Sequence, residues 1–258
     1  MYTSLQLREV FHLEFLRWFG KRVRTNYYAL KGGVNLRFFF NNFRYSEDMD
    51  LDIHTIKVEE LRDVVMKTLQ SVSFQDSLKS FGIERVISPD IKKAKQTQTT
   101  QRFKIHLITS ANEDLFTKVE FSRRGFKGNS VAEPVSVSIL RSYKLSPLIV
   151  SHYDILSTIV QKIEALSTRV VIQARDIFDL YTLSSQYVPR KTKEIKINSA
   201  KLTKAYENVF EMSFEQFRDT VISYLSSEDQ AMYNSSSLWD EVKLKVANFI
   251  EEIRKTYV

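Results

Sequence analysis

The sequence predicts an α+β protein: a mixed sheet with flanking helices over residues 1–146, then a helical part over 147–258. Three observations predict it. Glycine and proline number only 6 and 4, too few for a sandwich built from many tight turns. Several segments before residue 146 alternate apolar and polar residues with period two, the signature of strands. After Pro147 the apolar residues recur at helical spacing instead. A chain of 258 residues suits one large domain or two small ones, and either buries a core.

In chain order, Leu5, Val10, Phe11, Leu13, Phe15, Leu16 and Phe19 predict an amphipathic helix over 4–19. Residues 27–30 read as a short strand ending at Lys31-Gly32-Gly33, and 34–40 as a helix opening at that turn. Residues 48–54 alternate acidic and apolar side chains and predict a strand. A long helix is expected over 58–81, ended by Gly82. Strands follow at 83–87, 102–109 and 115–122, with 91–102 as an exposed basic loop and a short strand at 135–140. Helices are expected at 152–167, 172–185, 199–209, 214–225 and 238–257.

The composition excludes some chemistries. Without cysteine there is no disulfide, no thiol nucleophile and no cysteine-bound zinc. His12, His54, His106 and His152 are scattered without metal-ligand spacing. A net charge of +7 and a pI near 9.3 favour polyanionic partners, although a solvated lysine-rich face gives the same balance. The charged amphipathic start does not read as a signal peptide, and no uncharged run approaches a membrane span. A cytoplasmic protein without membrane contact is the expectation.

The segment carrying chemistry is Ser46-Glu47-Asp48-Met49-Asp50. On a strand, Asp48 and Asp50 face the same side. Two adjacent carboxylates repel, and divalent cations relieve that repulsion. An exposed polar strand face is the plainer reading of an isolated D-x-D. The upstream Lys31-Gly32-Gly33 turn adds weight, because glycines and amides at a helix start admit phosphate. Asp52 continues the alternation and would extend the site or meet solvent. Lys92, Lys93, Lys95, Arg102 and Lys104, and separately Lys191, Lys193, Lys196, Lys201 and Lys204, form two basic patches able to grip an RNA backbone.

Strand, Gly-Gly turn, short helix and D-x-D resemble the DNA polymerase beta-like nucleotidyltransferase superfamily. The string LKGGVNLRFF followed by RYSEDMDLDI resembles the AbiEii/AbiGii-type nucleotidyltransferase toxins of abortive-infection systems. Lys31, Gly32, Gly33, Leu36, Arg37, Arg44, Ser46, Asp48 and Asp50 match that pattern, while Val34 and Asn35 depart from it. In the helical part Lys162, Ala165, Leu166, Arg169, Arg175, Asp176, Asp179 and Leu180 match the closing motifs, with Gln161 where glutamate is frequent.

The resemblance implies a nucleotidyltransferase-type mixed sheet. It also implies transfer of a nucleoside monophosphate from an NTP, with Mg2+ as cofactor, two ions being expected. Asp48, Asp50 and Glu120 would bind the metal. Lys31, Gly32, Gly33, Arg44, Ser46 and Lys162 would bind the nucleotide. Asp48, Asp50, Lys162 and Asp176 would form the catalytic set. The expected partners are NTP, an RNA (tRNA) acceptor and a cognate antitoxin encoded nearby, in a type IV phage-defence system. The alternatives are a small-molecule or protein acceptor, or a degenerate fold that binds nucleic acid without catalysis. A network in which Arg169, Arg175, Asp176 and Asp179 only fix two helices is the structural alternative for the closing motifs.

Overall fold

A computed structural model describes residues 2–188 and 197–257. The chain forms two compact units, Met1–Phe39 with Tyr45–Tyr153, and Phe40–Arg44 with Asp154–Val258.

The first unit is built on a seven-stranded mixed sheet. Its strands are β1 (Tyr28–Lys31), β2 (Met49–Ile53), β3 (Ile83–Ile87), β4 (Thr100–Thr109), β5 (Asp114–Ser122), β6 (Ser130–Pro134) and β7 (Ile149–Tyr153). They lie in the order β3-β4-β5-β2-β1-β7-β6. The β2–β5 and β1–β7 pairs are parallel and the rest antiparallel. The helices are α1 (Ser4–Gly20), α2 (Gly32–Phe39), α3 (Val58–Leu69), α4 (Val72–Lys79) and α5 (Val137–Ser142).

Period-two alternation decides which face is which. Met49, Leu51 and Ile53 of β2, Phe103, Ile105 and Leu107 of β4, and Leu115, Val119 and Phe121 of β5 are buried in one cluster with Phe11, Phe15 and Phe19 of α1 and Phe74 of α4. The polar residues between them, Asp50, Arg102, Lys104, Lys118 and Glu120, keep some contact with solvent. α1 starts where it does because Thr3 and Gln6 form a capping box, which satisfies amides that the first turn leaves unpaired.

Several sequence expectations change. The helix foreseen over 58–81 is two helices. α3 closes at Gln70, and Ser71 takes an extended conformation (φ −66, ψ 123) before α4. The break lets Phe74 meet the rings of Phe11 and Trp18 on α1. The strand foreseen at 135–140 is instead α5, and the strand there is the earlier β6. The helix foreseen from residue 152 begins later. His152 and Tyr153 belong to β7, and the Asp154 side chain caps α6 (Ile155–Thr168) by accepting from the Ser157 amide at 2.8 Å. The change of texture near residue 146 is therefore not the edge of the sheet unit, which runs to Tyr153 and lacks residues 40–44.

The second unit holds α6, α7 (Ala174–Ser184), α8 (Ser199–Phe210), α9 (Phe214–Thr220), α10 (Ser227–Tyr233) and α11 (Ser236–Tyr257). The helix foreseen over 214–225 stops at Thr220 and continues as a 3-10 turn, and α10 was not foreseen. Trp239 stacks on Phe217 with centroids 4.2 Å apart and donates its indole N–H to the Met212 carbonyl. Phe43, from the 40–44 segment, meets the rings of Phe178 and Tyr233. Among the described residues no helix is long and apolar enough to cross a membrane.

Candidate active site

Four strands align a row of charges on the polar face of the sheet. Lys31 of β1 stands opposite Asp50 of β2, Asp50 opposite Glu120 of β5, and Glu120 opposite Arg102 of β4. The parallel β2–β5 register thus places two carboxylates on adjacent strands, where like charges destabilise each other. Asp48 lies one residue before β2. Its carboxylate pairs with Lys118 at 2.8 Å, and Glu120 pairs with Arg102 at 2.7 Å. Burial pushes the Asp50 carboxyl above its ordinary range; Lys118 and Lys31 pull it back, while Glu120 and Asp48 push it further up.

The glycine turn closes directly on this carboxylate. Gly32 has φ +69, and a Cβ placed there would lie 3.1 Å from Asp50 Oδ2. Any side chain would meet both a left-handed backbone and the carboxylate oxygen. Gly33 follows within the first turn of α2.

Asp52 departs from expectation. It neither extends the acidic face nor meets solvent. It is buried, its carboxylate 2.5 Å from Lys31 Nζ and accepting a 2.6 Å hydrogen bond from the Tyr153 hydroxyl. Burial, then Asp52, raises the Tyr153 hydroxyl far above its ordinary range, so it keeps its proton and donates. Lys31 is therefore engaged with Asp52. Ser46 donates its hydroxyl to the Asp48 carbonyl at 2.9 Å, shaping the turn that presents Asp48.

A buried relay that sequence reading missed supports the same turn. Thr117 donates its hydroxyl to the Glu47 carbonyl at 2.7 Å, and its oxygen lies 2.9 Å from His12 Nε2. Since the Thr117 proton is committed, His12 donates from Nε2. Burial and the neighbouring Arg8 lower the His12 pKa to about 3, so the ring stays neutral. Nothing in the spacing of His12 and Thr117 signals the contact. Lys118 was not singled out either, although its place two residues before Glu120 on one strand face was a signal for it. His54 is a turn histidine, in hydrogen-bonding contact with the Thr55 hydroxyl and the Asn26 carbonyl. Asn35 bridges α2 to β7, donating to the Tyr153 carbonyl at 3.1 Å.

The closing-motif residues assemble within the second unit. Lys162 Nζ lies 3.1 Å from Asp176 and 2.6 Å from Asp179. Arg44 meets the Asp179 carboxylate at 3.1 and 3.2 Å, and Arg169 approaches Asp176 at 3.3 Å. Both aspartates are fully buried. Burial alone would raise the Asp179 carboxyl, but Arg44 and Lys162 outweigh it and hold it below its ordinary range. Arg175 is exposed. Arg44 and Lys162, expected at the nucleotide, are here partners of buried carboxylates. Of the basic patches, Lys191, Lys193 and Lys196 lie outside the described residues. Lys201 pairs with Glu164 and Lys204 with Glu207.

Acidic residues on the parallel β2–β5 pair, with the Gly32 turn set against Asp50, fit a nucleotidyltransferase, the class that the family match shows. The chain belongs to the AbiEii nucleotidyl transferase toxin family of type IV toxin–antitoxin systems, whose sequence pattern matches residues 15–244. Family members are nucleotidyltransferases that act on NTPs, generally with a divalent metal, and are generally countered by an antitoxin. No curated protein matches the chain. Among solved structures, the fold is similar to MenT4, a nucleotidyltransferase toxin from Mycobacterium tuberculosis, with TM-score 0.61 and 16% identity over 96% of this chain and 84% of that one. It is also similar to JHP933 from Helicobacter pylori, with TM-score 0.53 and 19% identity over 100% and 94% of the two chains. An antigenic nucleotidyltransferase-like protein from Paracoccidioides brasiliensis gives TM-score 0.50 and 15% identity over 80% and 88%.

Gly32→Ala tests the tightness of the turn. It is expected to cost about 1–2 kcal/mol for the left-handed backbone and to lower nucleotide transfer by displacing the Asp50 carboxylate. Urea unfolding and transfer assays check this; wild-type values in both would show that the turn has slack.

Proposed function

We propose that the protein transfers a nucleoside monophosphate from an NTP to an RNA acceptor, tRNA, releasing pyrophosphate, and acts as a toxin held by an antitoxin encoded beside it. The observation that carries the reading is the registration of Asp50 with Glu120 against the Gly32 turn. Asp48, Asp50 and Glu120 would hold Mg2+. Among the described residues no three acidic or histidine side chains already converge as a ligand set. The donors nevertheless fit magnesium, which takes one or two carboxylates together with substrate phosphates and water. Bound ions, two in this reading, would activate the attacking oxygen and offset charge on the leaving pyrophosphate.

The chain's own residues do the remaining work. Gly32 and Gly33 let the backbone approach the triphosphate where the α2 amides begin. Lys118 and Arg102 hold Asp48 and Glu120 in place and bring positive charge beside the phosphates. Ser46, Thr117 and His12 position the turn that carries Asp48. Contact of Lys31, Arg44, Lys162 and Asp176 with the nucleotide rests on the family resemblance alone. Their geometry supports ion pairing within each unit.

The test is incubation of the purified protein with magnesium, each labelled NTP in turn and total tRNA, beside a variant carrying Asp48→Ala and Asp50→Ala. Label on tRNA from wild type only supports the reading and identifies the nucleotide. Retained NTP binding with no labelled RNA overturns the tRNA acceptor in favour of a protein or small molecule.

A further inference from the structure

The polar face of the sheet does not end at the carboxylates. Along the β4–β5 pair the register sets Arg102 opposite Glu120, then Lys104 opposite Lys118, then His106 opposite Phe116. All six side chains lie on the face away from the core, because the residues between them, Phe103, Ile105, Thr117 and Val119, are buried. Two features of this strip face solvent, although the His106–Phe116 pair also ties β4 to β5 and His106 Nε2 lies 2.5 Å from the Asp114 carboxylate. Lys104 and Lys118 are like charges on directly opposed positions, an unfavourable pair. Lys118 is offset by Asp48, whereas Lys104 is exposed and forms no ion pair among the described residues. Beyond them the rings of His106 and Phe116 stack at 4.6 Å with 18° between planes, and Phe116 is 59% exposed. On β3, Ile87 stands opposite His106 and is also exposed.

We infer that this strip is the docking track for a single-stranded segment of the RNA acceptor. A base would stack on the exposed Phe116–His106 pair, and backbone phosphates would lie against Lys104 on the way to Asp50 and Glu120. The charge complementarity is direct. Phosphates relieve the opposed lysines, and an exposed aromatic face beside cations is the usual arrangement for binding single strands. The track lies in register with the carboxylates, so a strand lying along it is led to the reacting centre. An acidic protein would also satisfy the lysines, but a flat exposed ring pair directly beside the Lys104 cation favours a stacked base with its phosphate. This inference rests on RNA being the acceptor.

The test uses the full-length protein with Lys104→Glu and Phe116→Ala, neither residue belonging to the proposed metal or nucleotide site. Both positions are exposed, so the fold is expected to persist; thermal unfolding and NTP binding check that, and Lys104→Arg and Phe116→Trp serve as conservative controls. The probe is a short single-stranded RNA, titrated without NTP over a range of salt. Phe116→Ala is expected to weaken binding about 5- to 150-fold with little change in salt dependence. Lys104→Glu is expected to weaken it and flatten the plot of log affinity against log salt by about 0.7 for each phosphate that no longer meets a cation. Both variants should raise KM for RNA more than they lower kcat, and Trp and Arg should restore binding.

Unchanged RNA affinity in both variants, with tRNA still labelled by wild type, overturns the track and leaves the proposed function standing. Tighter binding of DNA of the same sequence, or loss of a protein partner but not of RNA at these variants, also overturns it. Impaired RNA binding in both variants, with tRNA labelled by wild type, supports the track; impaired binding with no RNA ever labelled overturns the RNA acceptor and with it the track.

Discussion

Asp50→Asn is expected to lower nucleotide transfer by at least about 100-fold and, without divalent cations, to raise the melting temperature at neutral pH. The two effects share a cause. Asp50 is pressed between burial and the acidic neighbours Glu120 and Asp48, and its carboxyl is raised above the ordinary value of 3.8 despite Lys118 and Lys31. Between the unfolded and the higher folded pKa the native state holds a proton that the unfolded chain has lost. Stability therefore falls as pH rises through that window, and the penalty is fully present above the folded pKa. Asparagine keeps the shape and removes the charge, so it removes the penalty at pH 7 and gains nothing below the unfolded pKa. Magnesium should stabilise the wild type, since an ion that binds only the folded site shifts unfolding by mass action, and should leave the variant nearly unmoved. Thermal unfolding at pH 7 and at pH 4, with and without magnesium, checks all of this. A variant less stable than wild type at pH 7 in chelator would show that Asp50 is held as a structural charge.

Arg44→Ala should destabilise the helical unit by about 3–5 kcal/mol, the cost of leaving a buried charge without its partner. Arg44 is 5% exposed and Asp179 fully buried, and they meet at 3.1 and 3.2 Å. Asp179 also faces Lys162 at 2.6 Å, so one cation remains and the lower end of that range applies. The loss should depend on pH. The folded carboxyl sits below the ordinary 3.8, so the pair's contribution is fully present above that value and disappears as pH falls through the folded pKa. Removing Arg44 raises the Asp179 pKa. The gap between variant and wild type is therefore widest at neutral pH and narrows in acid. Urea unfolding across pH measures it. A gap under about 1 kcal/mol, or one that does not change with pH, would mean that the pair is screened by solvent and that Arg44 is available for another role.

Much of the first unit was legible in the chain. The helical spacing of apolar residues in α1, the strand before Lys31-Gly32-Gly33 and the alternation through β2, β4 and β5 are local patterns, and each alternation also says which side chains share a face. That was enough to set Asp50 and Glu120 apart from their buried neighbours. It did not say that their strands are parallel neighbours, nor that Asp52, on the same face as Asp50, would be enclosed by Lys31 and Tyr153. β7 was missed because its five residues carry no decisive period. They are a strand only because β1 and β6 lie on either side.

The sequence by itself thus determined the order of most elements, the buried face of each amphipathic one, and the acidic segment with its glycine turn. These depend on side-chain spacing of two or three to four residues, which backbone geometry converts directly into faces. The tertiary structure decided what the charges do. Arg44 finds Asp179 at a separation of 135 residues, His12 finds Thr117 at 105, and Tyr153 finds Asp52 at 101. A buried charge must have a partner, but the sequence does not say which one, because the choice is made by strands and helices brought together from distant parts of the chain.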